Sequence, residues 1–104
     1  MISTHVLDTS KGCPAQGISV ALYKQNGKEW SELGKSSTNN DGRTSFDTSL
    51  DGKVFKLVFD VEEYLKKAGQ PFYSAIPVIF KGEGKKLHIP LLLSPYGYST
   101  YRGS

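Results

Sequence analysis

Cysteine is nearly absent from this chain, and the single one, Cys13, can close no internal disulfide. A lone thiol fits a reducing compartment. Histidine is almost as scarce. With only His5 and His88 beside one distant cysteine, three-His or mixed Cys–His zinc ligation within one chain is out of reach, so neither a metal nor another cofactor is expected. No apolar run approaches the roughly 18 residues of a membrane span, so no membrane association is expected. The opening MISTHVLD shows neither a basic n-region nor an apolar h-region, and the closing Arg102-Gly103-Ser104 differs from the Ser-Lys-Leu type of peroxisomal address. A cytoplasmic location is the expectation, with an export segment removed upstream left open. The thirteen Lys and Arg residues give a formal charge of only +3, and Lys66-Lys67 and Lys85-Lys86 are the only adjacent pairs. That is too scattered for a nucleic-acid footprint. No G-x-S-x-G elbow surrounds Ser3, Ser94 or Ser99, which leaves a serine-hydrolase mechanism without support.

At 104 residues the chain suffices for one core and not for two, so residues 1–104 read as a single domain whose site must sit on its surface or between subunits. Short alternating segments broken by Gly, Asn, Asp and Pro point to an all-β sandwich. Eight strands are expected: Ile2 to Leu7, Ile18 to Gln25, Lys28 to Ser37, Thr44 to Asp47, Val54 to Phe59, Ser74 to Phe80, Lys86 to Leu93 and Gly97 to Tyr101. Asn26-Gly27 signals a hairpin, and Asn40-Asp41-Gly42 gives the same signal before the fourth strand. One short helix falls between the fifth and sixth strands, starting where Asp60 can cap it and Glu63 can reach back, with Val61, Leu65 and Ala68 on one face. Gly69 and Pro71 end it.

Strand neighbours point to opposite sides of a sheet, so parity sorts the side chains. Leu87, Ile89, Leu91 and Leu93 share a core-facing row, leaving His88, Pro90 and Leu92 outside. In the first strand Ser3, His5 and Leu7 form a row opposite to Ile2, Thr4 and Val6. If the two strands lie in one sheet, His5 and His88 project from the same outer face. The apolar Leu7, Pro90 and Leu92 beside them predict that another subunit covers that face. Tyr101 joins the histidines if the row of Gly97, Ser99 and Tyr101 faces outward, a register that parity alone leaves open.

Each candidate carries a plain alternative. A lone strand histidine is more often structural than catalytic. Arg43, just after the Asp41-Gly42 turn, is either a solvated hairpin charge or a guanidinium fork for an anion. Tyr101 is either a packing aromatic or a phenol that meets a substrate carbonyl, with Ser104 nearby. Trp30 reads as core or interface filler, and Cys13 as a spectator in a Gly-Pro loop. The end of the chain is either a solvated tail on an edge strand or a terminus that is tied down and used.

STHVLD near the start, the loop at Gly12 to Ala15, TNNDGR in the middle and HIPLLLSPYGYSTYRGS at the end together resemble the 5-hydroxyisourate hydrolases, a transthyretin-like family. The YRGS ending is the specific part, since it separates those hydrolases from hormone-carrying transthyretins. The resemblance implies a transthyretin-like two-sheet sandwich and metal-free hydrolysis of the small molecule 5-hydroxyisourate by general-base addition of water. It also implies a homotetramer, a dimer of dimers, with sites where outer sheet faces of different subunits meet. Carried over position by position, the active-site groups fall on His5, Arg43, His88 and the Tyr101 to Ser104 tail. On that reading His88 is the base, His5 its orienting or relay partner, Arg43 the oxyanion and substrate clamp, and Tyr101 and Ser104 the holders of the ring's far edge. A transthyretin-like carrier without chemistry is the alternative, but it has no need of two histidines, an arginine and that tail together.

Overall fold

A computed structural model describes residues 1–103. Among the described residues the chain forms nine strands and one helix: β1 Ile2–Asp8, β2 Cys13–Pro14, β3 Ser19–Asn26, β4 Glu29–Ser37, β5 Arg43–Phe46, β6 Val54–Asp60, α1 Glu62–Lys67, β7 Ala75–Lys81, β8 Leu87–Ser94 and β9 Gly97–Thr100. The eight expected strands are all there. The ninth is the two-residue β2, which pairs Leu7 with Pro14 and Asp8 with Cys13. Its two residues, a cysteine and a proline, hide it, because the pairing comes from β1 rather than from any alternation of its own.

The strands stack as two sheets. One runs β2-β1-β8-β9, with β5 also bonded to β1, and the other runs β4-β3-β6-β7. The period-two rows fill the space between them: Ile2 and Val6 of β1, Leu22 of β3, Phe55, Leu57 and Phe59 of β6, and Leu91 and Leu93 of β8 are all fully buried. The hairpin at Asn26-Gly27 joins β3 to β4 as expected. The turn at Asn40-Asp41-Gly42 behaves differently. It carries the chain from β4 in one sheet to β5 in the other, so it makes a crossing between layers instead of a hairpin.

Helix α1 lies between β6 and β7. The expected capping box does not form: Val61 takes the cap position with no side-chain hydrogen bond to the helix end, while Asp60 still belongs to β6 and receives only a long 3.4 Å contact from the Glu62 N–H. Leu65 anchors the helix in the core. Its neighbour Tyr64 donates its hydroxyl hydrogen to Asp8 at 2.7 Å. Burial alone pushes the Asp8 carboxyl up, but hydrogen bonds from Tyr64, Ser10 and the Lys11 N–H outweigh it and leave the pKa below the usual value. Ionised Asp8 thus ties helix and loop to the end of β1. No helix among the described residues is long and apolar enough to cross a membrane.

Candidate active site

One pairing decides what lies on the outer face of the larger sheet. β1 and β8 run parallel with Ser3 opposite His88, His5 opposite Pro90 and Leu7 opposite Leu92. Both expected outer rows therefore lie side by side, and a slip of one residue would send His88 into the core. On the other flank of β1, antiparallel β5 sets Arg43 opposite His5 and Ser45 opposite Ser3. Directly opposed residues share a face, so Arg43, His5, Ser3 and His88 form one polar field across three strands.

The TNNDGR segment explains how Arg43 gets there. The Asn39 side-chain oxygen accepts the N–H groups of Asp41 and Arg43 at 2.9 and 3.0 Å, and the Gly42 carbonyl accepts the Val6 N–H at 2.7 Å. Gly42 sits at φ +74°, and a Cβ there would stand 2.5 Å from the Val6 carbonyl oxygen. Only glycine lets the turn press this closely on β1.

His88 is half-buried and gripped from two sides. Ser3 Oγ stands 2.8 Å from its Nδ1, and the same hydroxyl reaches the Leu87 carbonyl oxygen at 3.5 Å. On the other side the chain continues past β9 in register, so that Gly103 bridges to His88 and donates its N–H to the His88 carbonyl at 2.7 Å. A Cβ on Gly103 would fall 2.7 Å from His88 Cδ2. The third residue of YRGS is therefore a glycine because the imidazole edge occupies the space of a side chain. At Gly103 the tail is thus tied to β8, while Tyr101 and Arg102 before it stay exposed. Burial first, then the charges of Arg43 and His5, holds the His88 pKa below its ordinary value, so the ring is neutral at pH 7.

A cleft of about 420 Å³ opens here, lined by Met1, Ser3, Arg43, Lys86, Leu87 and His88. Its chemistry is that of a neutral base beside the exposed guanidinium of Arg43, and Lys86 adds a second positive charge. A more apolar cleft of about 330 Å³ lies on the opposite side of β8, with Phe80, Ile89, Thr100 and Tyr101 in its walls. The structure thus brings His88 and Arg43 to one cleft and sets His5 against Arg43 in the ladder. Ser99 stands opposite Leu92, so the row of Gly97 and Ser99 lies on the same outer face as His88, and Tyr101, just past β9 and half-exposed, also borders the second cleft. Ser104 lies outside the described residues. Cys13 is exposed on β2, and no group of three or more His, Cys, Asp or Glu side chains suited to a metal occurs among the described residues.

Two expectations change in detail. The hydrogen bond to His88 Nδ1 comes from Ser3, which leaves the relay part of the orienting-or-relay expectation to His5. Pro90, expected to need a neighbouring subunit as cover, is already buried within the single chain, so only the half-buried Leu7 and Leu92 leave apolar surface on that row. Ser3 is the residue that sequence reasoning misses, because only the β1–β8 register brings its hydroxyl to His88.

The family model described as HIUase/Transthyretin family matches residues 2–103. The chain belongs to the HIUase/transthyretin family. Among relatives in the HIUase/transthyretin family, a protein of Mus musculus named 5-hydroxyisourate hydrolase is 44% identical, with 99% of this chain and 94% of that one covered. The solved structure of Klebsiella pneumoniae 5-hydroxyisourate hydrolase superposes with a TM-score of 0.87 at 31% identity, covering 99% of this chain and 97% of that one. A sea bream transthyretin solved with thyroxine reaches a TM-score of 0.89, over 98% of this chain and 93% of that one. At 23% identity the latter speaks for the shared fold alone.

Proposed function

We propose that this chain is a 5-hydroxyisourate hydrolase, which adds water to a ring carbonyl and opens the six-membered ring toward 2-oxo-4-hydroxy-4-carboxy-5-ureidoimidazoline. The observation that carries this reading is a neutral His88 facing the same cleft as Arg43, in a chain 44% identical to a relative of that name. In this scheme neutral His88 takes a proton from water as the hydroxide adds to the carbonyl carbon. The guanidinium of Arg43 stabilises the oxyanion that forms. As the C–N bond breaks, the imidazolium returns its proton to the departing nitrogen, so the ring ends neutral. His5, opposite Arg43, contacts substrate and relays protons, while Tyr101 and Ser104 hold the far edge of the substrate ring.

A homotetramer built as a dimer of dimers completes the proposal. Two separate apolar surfaces support it. Leu7 and Leu92 remain only half-buried beside the polar field, and Phe72 and Tyr96 stand 66% and 69% exposed near the β9 edge, their rings 5.9 Å apart. Two kinds of self-contact are what a dimer of dimers needs. A cytoplasmic setting, in which the exposed Cys13 stays reduced, fits the same reading.

The test is to generate 5-hydroxyisourate in situ from urate and follow its ultraviolet decay with and without the protein. Acceleration proportional to protein concentration is expected. Decay at the spontaneous rate would overturn the hydrolase reading and leave a carrier of small ligands as the better one.

A further inference from the structure

We propose that Ser3 is a positioning residue for His88: its oxygen accepts the Nδ1 proton and its own proton goes to the Leu87 carbonyl, which fixes the Nδ1–H tautomer. The Nε2 lone pair is then the one offered to the cleft. The catalytic consequence rests on the hydrolase reading above, but the tautomer is a property of the resting protein.

A serine hydroxyl has one proton to give, an imidazole nitrogen gives or takes one depending on tautomer, and a carbonyl oxygen only accepts. Ser3 Oγ lies within reach of one imidazole nitrogen at 2.8 Å and one carbonyl at 3.5 Å. Run from Nδ1–H to Oγ and from O–H to the Leu87 oxygen, the chain of donors leaves no group facing another of its own kind. Run the other way, with the hydroxyl proton on Nδ1, the Leu87 oxygen faces a serine lone pair and the ring must carry its proton on Nε2. That nitrogen has then no base to offer.

Charge selects the same direction. Arg43 lines the cleft into which the free side of the ring opens. A lone pair directed toward that side is favoured by a guanidinium, and an N–H directed there is disfavoured. The backbone supplies the precision: Ser3 and His88 are directly opposed across the parallel β1–β8 ladder, so both side chains leave rigid strands at a fixed spacing. Gly103 adds a stop, because a Cβ built there would lie 2.7 Å from Cδ2, on the side of the ring away from Nδ1, so the strand at Gly103 runs close beside that edge. The ring is held at one edge by a hydrogen bond and at the other by contact.

Nitrogen-15 NMR of the His-labelled full chain, recorded above the pKa of His88, reads the tautomer directly. A protonated Nδ1 and an unprotonated Nε2 are expected for His88 in the wild type, with the population moving toward Nε2–H in Ser3→Ala and returning in Ser3→Thr. In turnover, Ser3→Ala should lower kcat by about tenfold or more with KM changed less than about twofold, as expected for a loss felt in the transition state. Ser3→Thr, which keeps the hydroxyl, should recover most of it. An Nε2–H resonance pattern in the wild type, or an unchanged pattern in Ser3→Ala, overturns the proposal. A chain that shows the Nδ1–H tautomer yet leaves 5-hydroxyisourate decay unaltered supports the tautomer assignment and overturns the hydrolase reading instead.

Discussion

Adding one methyl group at Gly103 tests whether the tail truly braces His88. In Gly103→Ala the new Cβ would lie 2.7 Å from His88 Cδ2, 3.2 Å from the His88 carbonyl oxygen and 3.3 Å from Cγ. Real Cβ atoms do not approach that closely, so either the imidazole turns or the tail lifts. Turning the ring off its rotamer costs about 0.5–1.5 kcal/mol and stretches the 2.8 Å bond to Ser3. Lifting the tail loses the Gly103–His88 backbone hydrogen bond, a net loss of about 1 kcal/mol. Either route is modest for the fold, corresponding to a fall in Tm of about 4–8 °C for a domain of this size. The effect on catalysis is larger, because a displacement of about 1 Å at a reacting group costs on the order of a hundredfold. Steady-state kinetics beside a thermal melt reads both. A folded variant with turnover cut by about tenfold to a hundredfold is expected, and wild-type turnover with an unchanged melt would refute the bracing of His88 by Gly103.

Other outcomes follow from the same geometry. His88 has a folded pKa below its ordinary 6.5, so the acid limb of kcat/KM should lie below pH 6.5. The sign for stability agrees: the contribution from neutral His88 is complete above 6.5 and is lost as pH falls through the folded value. In Arg43→Met, with one positive neighbour gone while His5 and Lys86 remain, an NMR titration should show the His88 pKa moving up toward 6.5; a downward move would contradict the stated cause. Gly42→Ala places a Cβ 2.5 Å from the Val6 carbonyl at φ +74°, and should cost about 2 kcal/mol or more in a denaturant melt, where an unchanged midpoint would disprove the close packing. Deleting Tyr101 to Ser104 should abolish hydrolysis while size-exclusion chromatography shows a folded protein of the wild-type assembly size; a smaller species or an aggregate would make the tail mainly structural.

Parity made much of this legible in advance. Alternation in two segments, Ser3-His5-Leu7 and His88-Pro90-Leu92, was enough to set both histidines on outer rows once β1 and β8 shared a sheet. What alternation does not contain is register across 85 positions of chain. Ser3 is opposite His88 only because Ile2 is opposite Leu87, and nothing local to either strand announces that offset. The same limit hid β2, whose two residues are strand only by virtue of their partner. At Asn40-Asp41-Gly42 the turn chemistry was readable but its destination was not, since the side chain of Asn39 closes the turn locally while the docking of Gly42 on Val6 decides which sheet comes next. Family resemblance supplied the substrate and the tail, and the backbone then gave Gly103 its physical reason.

On this reading neutral His88 on the outer face activates water for ring opening. The rate of 5-hydroxyisourate decay with His88→Asn, set beside the wild type at equal concentration and pH 7, tests it most directly. Asn keeps a polar group of similar reach to Ser3 but offers no base, so the account predicts strong acceleration by the wild type and a fall of at least about a hundredfold in the variant. Equal acceleration by a correctly folded His88→Asn protein would contradict it.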